Sequence, residues 1–234
     1  MKKLAHKSAK TLKFLKIFKF VIFLLLIVRV GTANSTPRIY LIRHAAVDLK
    51  KPGWGTSKYS AEYKIAYNVT GVELFNTDEV LHKIKNYPSI DTIFCSPQHR
   101  ALETAMMLFG ENVVFETDSV LTELDYPVVH VPVIQLPVTG WLLISRISWM
   151  AGINRGEKTG YKDRIDELNA FSDELIKFAQ RNGNAVVVAH GIVNRELVKI
   201  LKKRGWKYCE NGKDGYGNLS VNCFEYNLFN KYIE

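Results

Sequence analysis

Cysteine is scarce in this chain of 234 residues, which contains only Cys95, Cys209 and Cys223. Their spacing matches no zinc-binding pattern. In an oxidising compartment, Cys209 and Cys223 can pair across the loop between them. The alternative, which the sequence favours slightly, is that all three are small buried side chains. Cys95 ends an apolar stretch with strand character, so we expect it in the core.

Acidic residues are absent from the first 33 positions, although the net charge of the whole chain is +9. Removing the eight positive charges of this segment from that total leaves about +1 for the remainder. The folded part therefore has no basic stripe, which argues against nucleic acid as a partner. The eight basic residues are Lys2, Lys3, Lys7, Lys10, Lys13, Lys16, Lys19 and Arg29.

The sequence also lacks an uninterrupted apolar run of about 20 residues, the length that spans a bilayer comfortably. Its apolar run at positions 20–28 follows the lysines and precedes the small residues Gly31-Thr32-Ala33. This order is typical of a secretory signal that is cleaved after Ala33. The alternatives are an uncleaved membrane anchor and a cytosolic protein with an unusual tail. We therefore expect a signal peptide or anchor at 1–33, a domain at 34–234, and export or membrane association.

Beyond Pro37, stretches with strand character alternate with stretches of helical periodicity. This alternation predicts a three-layer α/β/α sandwich with a mostly parallel central sheet. Functional residues then belong at the carboxyl ends of the strands. We predict strands at 38–42, 91–95, 112–115, 184–189 and 220–226, and helices at 77–86, 97–108, 162–182 and 192–204.

Three of the predicted strands lead directly into residues that suit phosphate chemistry. The first precedes Arg43 and His44, the second precedes Ser96 with Arg100 one helical turn later, and a later strand precedes His190. Arginine binds phosphate oxygens with a planar fork of donors. Neutral histidine can act as a nucleophile. If the strands are neighbours, this set suits phosphoryl transfer without a metal.

Four segments have an order and separation that resemble one known family, the histidine phosphatase superfamily, which includes the cofactor-dependent phosphoglycerate mutases. The first carries its RH signature, the second its S-P-x-x-R-A-x-x-T-A segment, the third its acid in an L-x-E pattern, and the last its second histidine. The resemblance covers roughly residues 38 to 227. The segments are Leu41-Ile42-Arg43-His44, Ser96-Pro97-Gln98-His99-Arg100-Ala101-Leu102-Glu103-Thr104-Ala105, Leu121-Thr122-Glu123 and Val186-Val187-Val188-Ala189-His190-Gly191.

The resemblance implies a phosphoglycerate mutase-like fold and a catalytic cycle in which His44 becomes phosphohistidine. It assigns Arg43, Arg100 and His190 to the phosphoryl oxygens. Glu123 protonates the leaving oxygen and then activates water, with Asp125 as the rival acid. The resemblance implies no metal and no cofactor. The expected partner is a small phosphorylated substrate, whose identity the sequence leaves open, as it does the oligomeric state.

Several positions depart from the family pattern. Ala45 replaces the usual glycine, and the common asparagine a few residues later has no counterpart in Asp48-Leu49-Lys50. The residues typical of mutases are missing after Glu123. We therefore expect a phosphomonoesterase, with a mutase-like phosphotransferase or a catalytically silent phospho-ligand binder as alternatives. The apolar segment at 128–150 is either a lid that forms a hydrophobic wall or membrane-facing patch, or a helix that packs into the core.

Overall fold

The computed structural model describes residues 36–154, 156 and 159–226. The predicted signal peptide or anchor at 1–33 lies outside these residues. None of the helices in the described part of the chain combines the length and hydropathy that a bilayer crossing demands. The elements are β1 (Arg38–Arg43), β2 (Trp54–Gly55), α1 (Ser57–Val69), α2 (Asp78–Leu81), β3 (Thr92–Cys95), α3 (His99–Phe109), β4 (Val114–Thr117), β5 (Leu136–Pro137), α4 (Val138–Met150), α5 (Tyr161–Asn182), β6 (Asn184–Ala189), α6 (Gly191–Lys203), β7 (Lys207–Tyr208) and β8 (Val221–Glu225).

The main sheet has the strand order β4-β3-β6-β1-β8-β7. The four strands from β4 to β1 are parallel, and β8 and β7 extend the sheet in antiparallel fashion. A separate two-stranded ribbon pairs β2 with β5. The α/β class with a mostly parallel sheet is therefore confirmed.

Side chains of β1 alternate between two apolar cores, one on each face of the sheet. Ile39 and Leu41 pack with residues of α5 and α6, whereas Tyr40 and Ile42 pack with residues of α2 and α3. This alternation is the expected consequence of a two-residue side-chain period. The helices thus cover both faces, which gives the three layers that the sequence predicts.

Most predicted elements are present with shifted ends, but the helix predicted at 77–86 is not. Only Asp78–Leu81 is α-helical. Asn86 has a left-handed backbone with a φ of 57°, a conformation that an α-helix cannot include. The helix predicted at 97–108 begins later, at His99, and ends before Gly110, whose φ is 69°.

Helix α1 and the ribbon were not predicted. Helix α1 buries only Ser57 and Ser60, so it has no apolar stripe that a sequence pattern could reveal. Thr56 caps its first turn by accepting a hydrogen bond from the backbone of Tyr59.

The segment at 128–150 contains helix α4, which has one buried face and one exposed face. Trp141 and Trp149 are buried, so part of the helix packs into the core. Leu143 and Ile147 are more than half exposed, so its other face is open. The prediction of a helix that packs into the core is thus confirmed for one face of α4, and the lid interpretation stays a prediction.

The cysteines divide into two kinds. Cys209 and Cys223 form a disulfide with a Cα–Cα distance of 5.4 Å. The slightly favoured expectation of three buried thiols is therefore wrong for this pair, since the antiparallel pairing of β7 with β8 brings them together. Cys95 is a free, buried thiol, as predicted.

Candidate active site

The carboxyl ends of β1, β3 and β6 are level with one another. Arg43 pairs with Ala189, and Cys95 pairs with Val188. The next residues of the three strands are His44, Ser96 and His190, so they meet at one edge of the sheet. The ring centroids of His44 and His190 are 5.1 Å apart. The convergence of the strand ends is thus present in the structure.

The His44 ring has one consistent proton arrangement. Its Nδ1 lies 2.7 Å from the carbonyl oxygen of Ala45, which can only accept a hydrogen bond, so Nδ1 carries the proton. Its Nε2 lies 3.3 Å from Nε of Arg100, which can only donate. The lone pair is therefore on Nε2, the nitrogen available for nucleophilic attack.

The protonation state of His44 favours the same role. The pKa of His44 is lowered to about 3, and burial is the largest cause. The Ala45 carbonyl acts in the opposite direction, and the positive charges of Arg100 and Arg43 add to the lowering. Two nearby guanidinium groups and the loss of water both disfavour an imidazolium ion. His44 is consequently neutral at pH 7.

Arg100 is buried, with 1% of its surface exposed. Beside His44, its guanidinium donates to the side-chain oxygens of Asn68 at 3.0 Å and Gln98 at 3.2 Å. The ring of Tyr67 lies 5.1 Å from its Cζ. Among the described residues, these partners are all uncharged. They orient Arg100 without carrying a negative charge, and the nearby Glu123 carboxylate interacts with it electrostatically, so an anion bound here would meet an oriented guanidinium.

Arg43 approaches the backbone of the α6 N-terminus very closely. A Cβ built on Gly191 would meet the Arg43 guanidinium at 3.3 Å, which is shorter than an ordinary van der Waals contact. Nη1 of Arg43 donates to the carbonyl oxygen of Tyr216 at 2.6 Å. Its Nε is buried without a hydrogen-bond partner in the described part of the chain. Gly191 thus provides the space that Arg43 occupies.

His190 is fully buried, and Ser96 holds its ring. The distance from Nε2 of His190 to Oγ of Ser96 is 2.8 Å. Burial lowers the pKa of His190 well below its ordinary value, and Arg100 is the largest charged contributor. Its Nδ1 has no hydrogen-bond partner within the described residues. A buried polar atom without a partner is costly unless a ligand satisfies it.

Glu123 lies in the same cavity as the two arginines and His44. Its backbone N–H donates to Oε1 of Gln98 at 3.0 Å, the same oxygen that accepts from Arg100. Gln98 therefore links the Glu123 loop to Arg100. The rival acid, Asp125, forms an ion pair with Lys64 at 2.5 Å.

Sequence reasoning missed the contribution of α1. Asn68 and Tyr67 come from this helix, and both contact Arg100. The family's usual asparagine is missing after His44, yet an amide from α1 reaches the site. The capping threonine before the helix was the available signal, but it does not indicate which face of α1 meets Arg100.

The loop between Cys209 and Cys223 forms hydrogen bonds with the backbone of the Arg43-His44 segment. Nδ2 of Asn218 donates to the carbonyl oxygen of His44 at 3.1 Å. The backbone N–H of Leu219 donates to the carbonyl oxygen of Arg43 at 3.2 Å. These two contacts fix the backbone of Arg43 and His44, and the Tyr216 carbonyl holds the Arg43 side chain.

Arg43, His44, Arg100 and Glu123 line one cavity of about 480 Å³, within the range of roughly 300–1,000 Å³ that is usual for small-molecule sites. It extends from His44 to the inner surface of α4. Within the described part of the chain, no three His, Cys, Asp or Glu side chains are grouped so that they could hold a metal ion.

Residues 39–233 match the sequence profile described as the histidine phosphatase superfamily (branch 1). The chain belongs to this superfamily. The match includes all four segments on which the resemblance rests. Within the histidine phosphatase superfamily, the edge of the sheet occupied by His44 and His190 is therefore the candidate catalytic edge. No curated protein sequence matches the chain.

The chain is also similar to several solved structures. A mycobacterial glucosyl-3-phosphoglycerate phosphatase is 18% identical, with a TM-score of 0.50 over 80% of this chain and 89% of its own. The phosphoserine phosphatase of Entamoeba histolytica, a variant in complex with phosphoserine, is 17% identical, with a TM-score of 0.48 over 82% and 91%. The ecdysone phosphate phosphatase of Bombix mori, in complex with tungstate, is 15% identical, with a TM-score of 0.49 over 80% and 88%.

Proposed function

We propose that this histidine phosphatase superfamily member is a metal-independent phosphomonoesterase that works through a phosphohistidine on His44. The observation that carries the proposal is the His44 ring, whose unprotonated Nε2 lies beside the buried Arg100 guanidinium. A phosphate dianion requires positive charge, several donors and a neutral nucleophile. The site supplies all three.

In the first half-reaction, the phosphoryl group binds Arg43, Arg100 and His190. If the Ser96 hydroxyl donates to Nε2 of His190, Nδ1 carries the proton and can donate to a phosphoryl oxygen. Nε2 of His44 then attacks phosphorus, and the bond from phosphorus to the ester oxygen breaks. Glu123 gives its proton to the departing alkoxide. The Ala45 carbonyl stabilises the positive charge that develops on the His44 ring.

In the second half-reaction, the Glu123 carboxylate takes a proton from water as the water oxygen attacks phosphorus. The bond from phosphorus to Nε2 of His44 breaks, and phosphate leaves. His44 is neutral again, and Glu123 is again protonated. Arg43 and Arg100 stabilise the equatorial oxygens in both transition states.

The disulfide supports the further proposal that the domain works in an oxidising compartment, since such bonds are rare in reducing ones. This agrees with the expectation of export or membrane anchoring. Detecting the chain outside the cytoplasm with an oxidised Cys209–Cys223 pair would test it, and a fully reduced pair in native protein would oppose it.

The catalytic proposal is tested by phosphate release from an aryl phosphate in the presence of a metal chelator. We expect turnover in the native protein and its loss in His44→Ala. Asp125→Asn is the matched control for Glu123→Gln, and only the Glu123 variant should lose turnover of alkyl esters. Full activity in His44→Ala, or abolition by the chelator, would overturn the mechanism.

A further inference from the structure

The part of the cavity that faces away from His44 carries positive charge that the phosphoryl group does not use. Arg146 of α4, Arg195 of α6 and Lys64 of α1 all line the cavity. Lys64 forms an ion pair with Asp125 at 2.5 Å. Neither arginine forms an ion pair with a described carboxylate. This end of the cavity therefore has a surplus of positive charge.

Arg146 is held by an aromatic ring rather than by an acid. Its Cζ lies 5.0 Å from the ring centroid of Tyr126, which is buried. Lys64 lies on the same ring, with Nζ at 4.1 Å from the centroid, so cations contact Tyr126 from two elements. Such contacts orient a guanidinium without cancelling its charge.

The position of Arg146 on α4 is fixed by its neighbours. Ser145, directly before it, and Trp149, three residues later, are buried. Oγ of Ser145 accepts from the backbone of Val129 at 2.9 Å, and Nε1 of Trp149 donates to the backbone of Thr159 at 3.1 Å. Nε of Arg146 is buried and has no hydrogen-bond partner among residues of the described chain. The Arg146 side chain itself lines the cavity, so its guanidinium is within reach of a ligand there.

Charge balance indicates what the ligand carries. Arg43 and Arg100 match the two negative charges of a phosphate monoester, and Glu123 must be protonated when it acts as the acid. Within the described part of the chain, Arg146 and Arg195 are then without an ion-pair partner once the phosphoryl group is bound. An uncharged leaving group would give these two arginines no ion-pair partner. An anionic group would pair with a guanidinium through charge-assisted hydrogen bonds.

We propose that Arg146 binds a second anionic group, carboxylate or phosphate, on the alcohol part of the substrate. The inference rests on the proposed phosphomonoesterase activity and narrows its substrate class to compact esters with an anion at each end. The cavity of about 480 Å³ lies towards the lower end of the usual range of roughly 300–1,000 Å³, which favours small substrates over macromolecules. Arg195, exposed at the rim, adds to the positive field.

The test compares substrates that differ in one group. 3-Phosphoglycerate and glycerol 3-phosphate have the same framework, with a carboxylate in one where the other has a hydroxymethyl group. Fructose 1,6-bisphosphate and fructose 1-phosphate form the corresponding pair for a second phosphate. We expect kcat/KM to be at least about tenfold higher for the anionic member of one pair, as charge-assisted hydrogen bonds typically contribute. The pair with the larger kcat/KM ratio shows whether the preferred second anion is a carboxylate or a phosphate.

Variants assign the preference to Arg146. In Arg146→Met the ratio should fall towards one, because the side chain keeps its apolar length and loses its charge. In Arg146→Lys it should be partly retained. Arg181→Met is the matched control, because it removes one positive charge near the amino end of β6, at the opposite edge of the sheet, and should keep the native ratio. Thermal unfolding of each variant checks that the fold is intact.

The outcomes separate the two proposals. If the native protein hydrolyses neither an aryl phosphate nor any of the four esters, the proposed function fails and the inference fails with it. If it hydrolyses aryl phosphate and glycerol 3-phosphate but prefers no anionic ester, only the inference is overturned. A preference that persists in Arg146→Met also overturns it, since another residue would then bind the second anion.

Discussion

Opening the Cys209–Cys223 disulfide should weaken both the fold and the catalytic edge of the sheet. The two cysteines are 14 residues apart. In the loop-entropy description, a cross-link that closes a loop of about 15 residues stabilises the folded state by about 3 kcal/mol. The Cys209→Ala/Cys223→Ala double variant should therefore lose about 3 kcal/mol of unfolding free energy.

The loop between these cysteines also contacts the Arg43-His44 segment. The Tyr216 carbonyl accepts from Arg43, and Asn218 donates to the backbone of His44. A loop that is free to move presents these partners less often, so the phosphate-binding geometry is populated less. We expect KM for an aryl phosphate to rise more than kcat falls, because the chemical groups themselves are unchanged.

Urea unfolding and steady-state kinetics with and without reductant measure both effects. The native protein and the Cys95→Ala control should lose stability when reductant is added, whereas the double variant should not respond. The reasoning would be refuted by a double variant that unfolds within about 0.5 kcal/mol of the native protein, well below the loop-closure contribution, and retains the native KM.

Three further predictions follow from the same site. Because His44 and His190 have pKa values depressed below the ordinary 6.5, the unfolded chain binds more protons at low pH. The contribution of the two histidines to the free energy of unfolding is therefore fully present above about pH 6.5. It is lost as the pH drops, by up to about 1.4 kcal/mol per pH unit for each histidine, and urea unfolding between pH 7 and pH 5 would measure the loss. Gly191→Ala, whose Cβ would crowd a guanidinium at 3.3 Å, should lower kcat/KM about tenfold. Gly140→Ala, whose nearest contact would be 4.0 Å, should not. Asn68→Ala should also lower kcat/KM by up to about tenfold, since the Arg100 guanidinium then loses a side chain that orients it. An unchanged kcat/KM would show that Asn68 does not orient Arg100 for the reaction.

The sequence predicts those elements whose local residue pattern follows directly from their place in the fold. The stretch at 184–189 is apolar throughout because β6 is central and covered on both faces, so its pattern reveals it. His44 and His190 follow directly from the strands that carry them. The two strand ends meet because the strands pair in parallel, which the alternation of elements already indicates.

The rest of the site depends on contacts that no local pattern contains. Asn68 lies on a helix without an apolar stripe, so neither the helix nor its contact with Arg100 was visible. Gln98 falls within a recognised segment, but its role requires Arg100 and the Glu123 backbone to be within reach of one oxygen. Arg146 lies in a segment that is otherwise mostly apolar, so its neighbours in the sequence do not show that it faces the cavity. Its position on α4 decides this.

The most direct test of the central claim is to trap the phosphoenzyme. Glu123→Gln should still be phosphorylated by an aryl phosphate, whose good leaving group needs little acid assistance, but it should hydrolyse the intermediate slowly. Quenching in alkali, followed by peptide mass spectrometry, should then find one phosphoryl group on His44 and none in the His44→Ala variant. Turnover without any phosphohistidine, or a phosphoryl group on a different residue, would contradict the account.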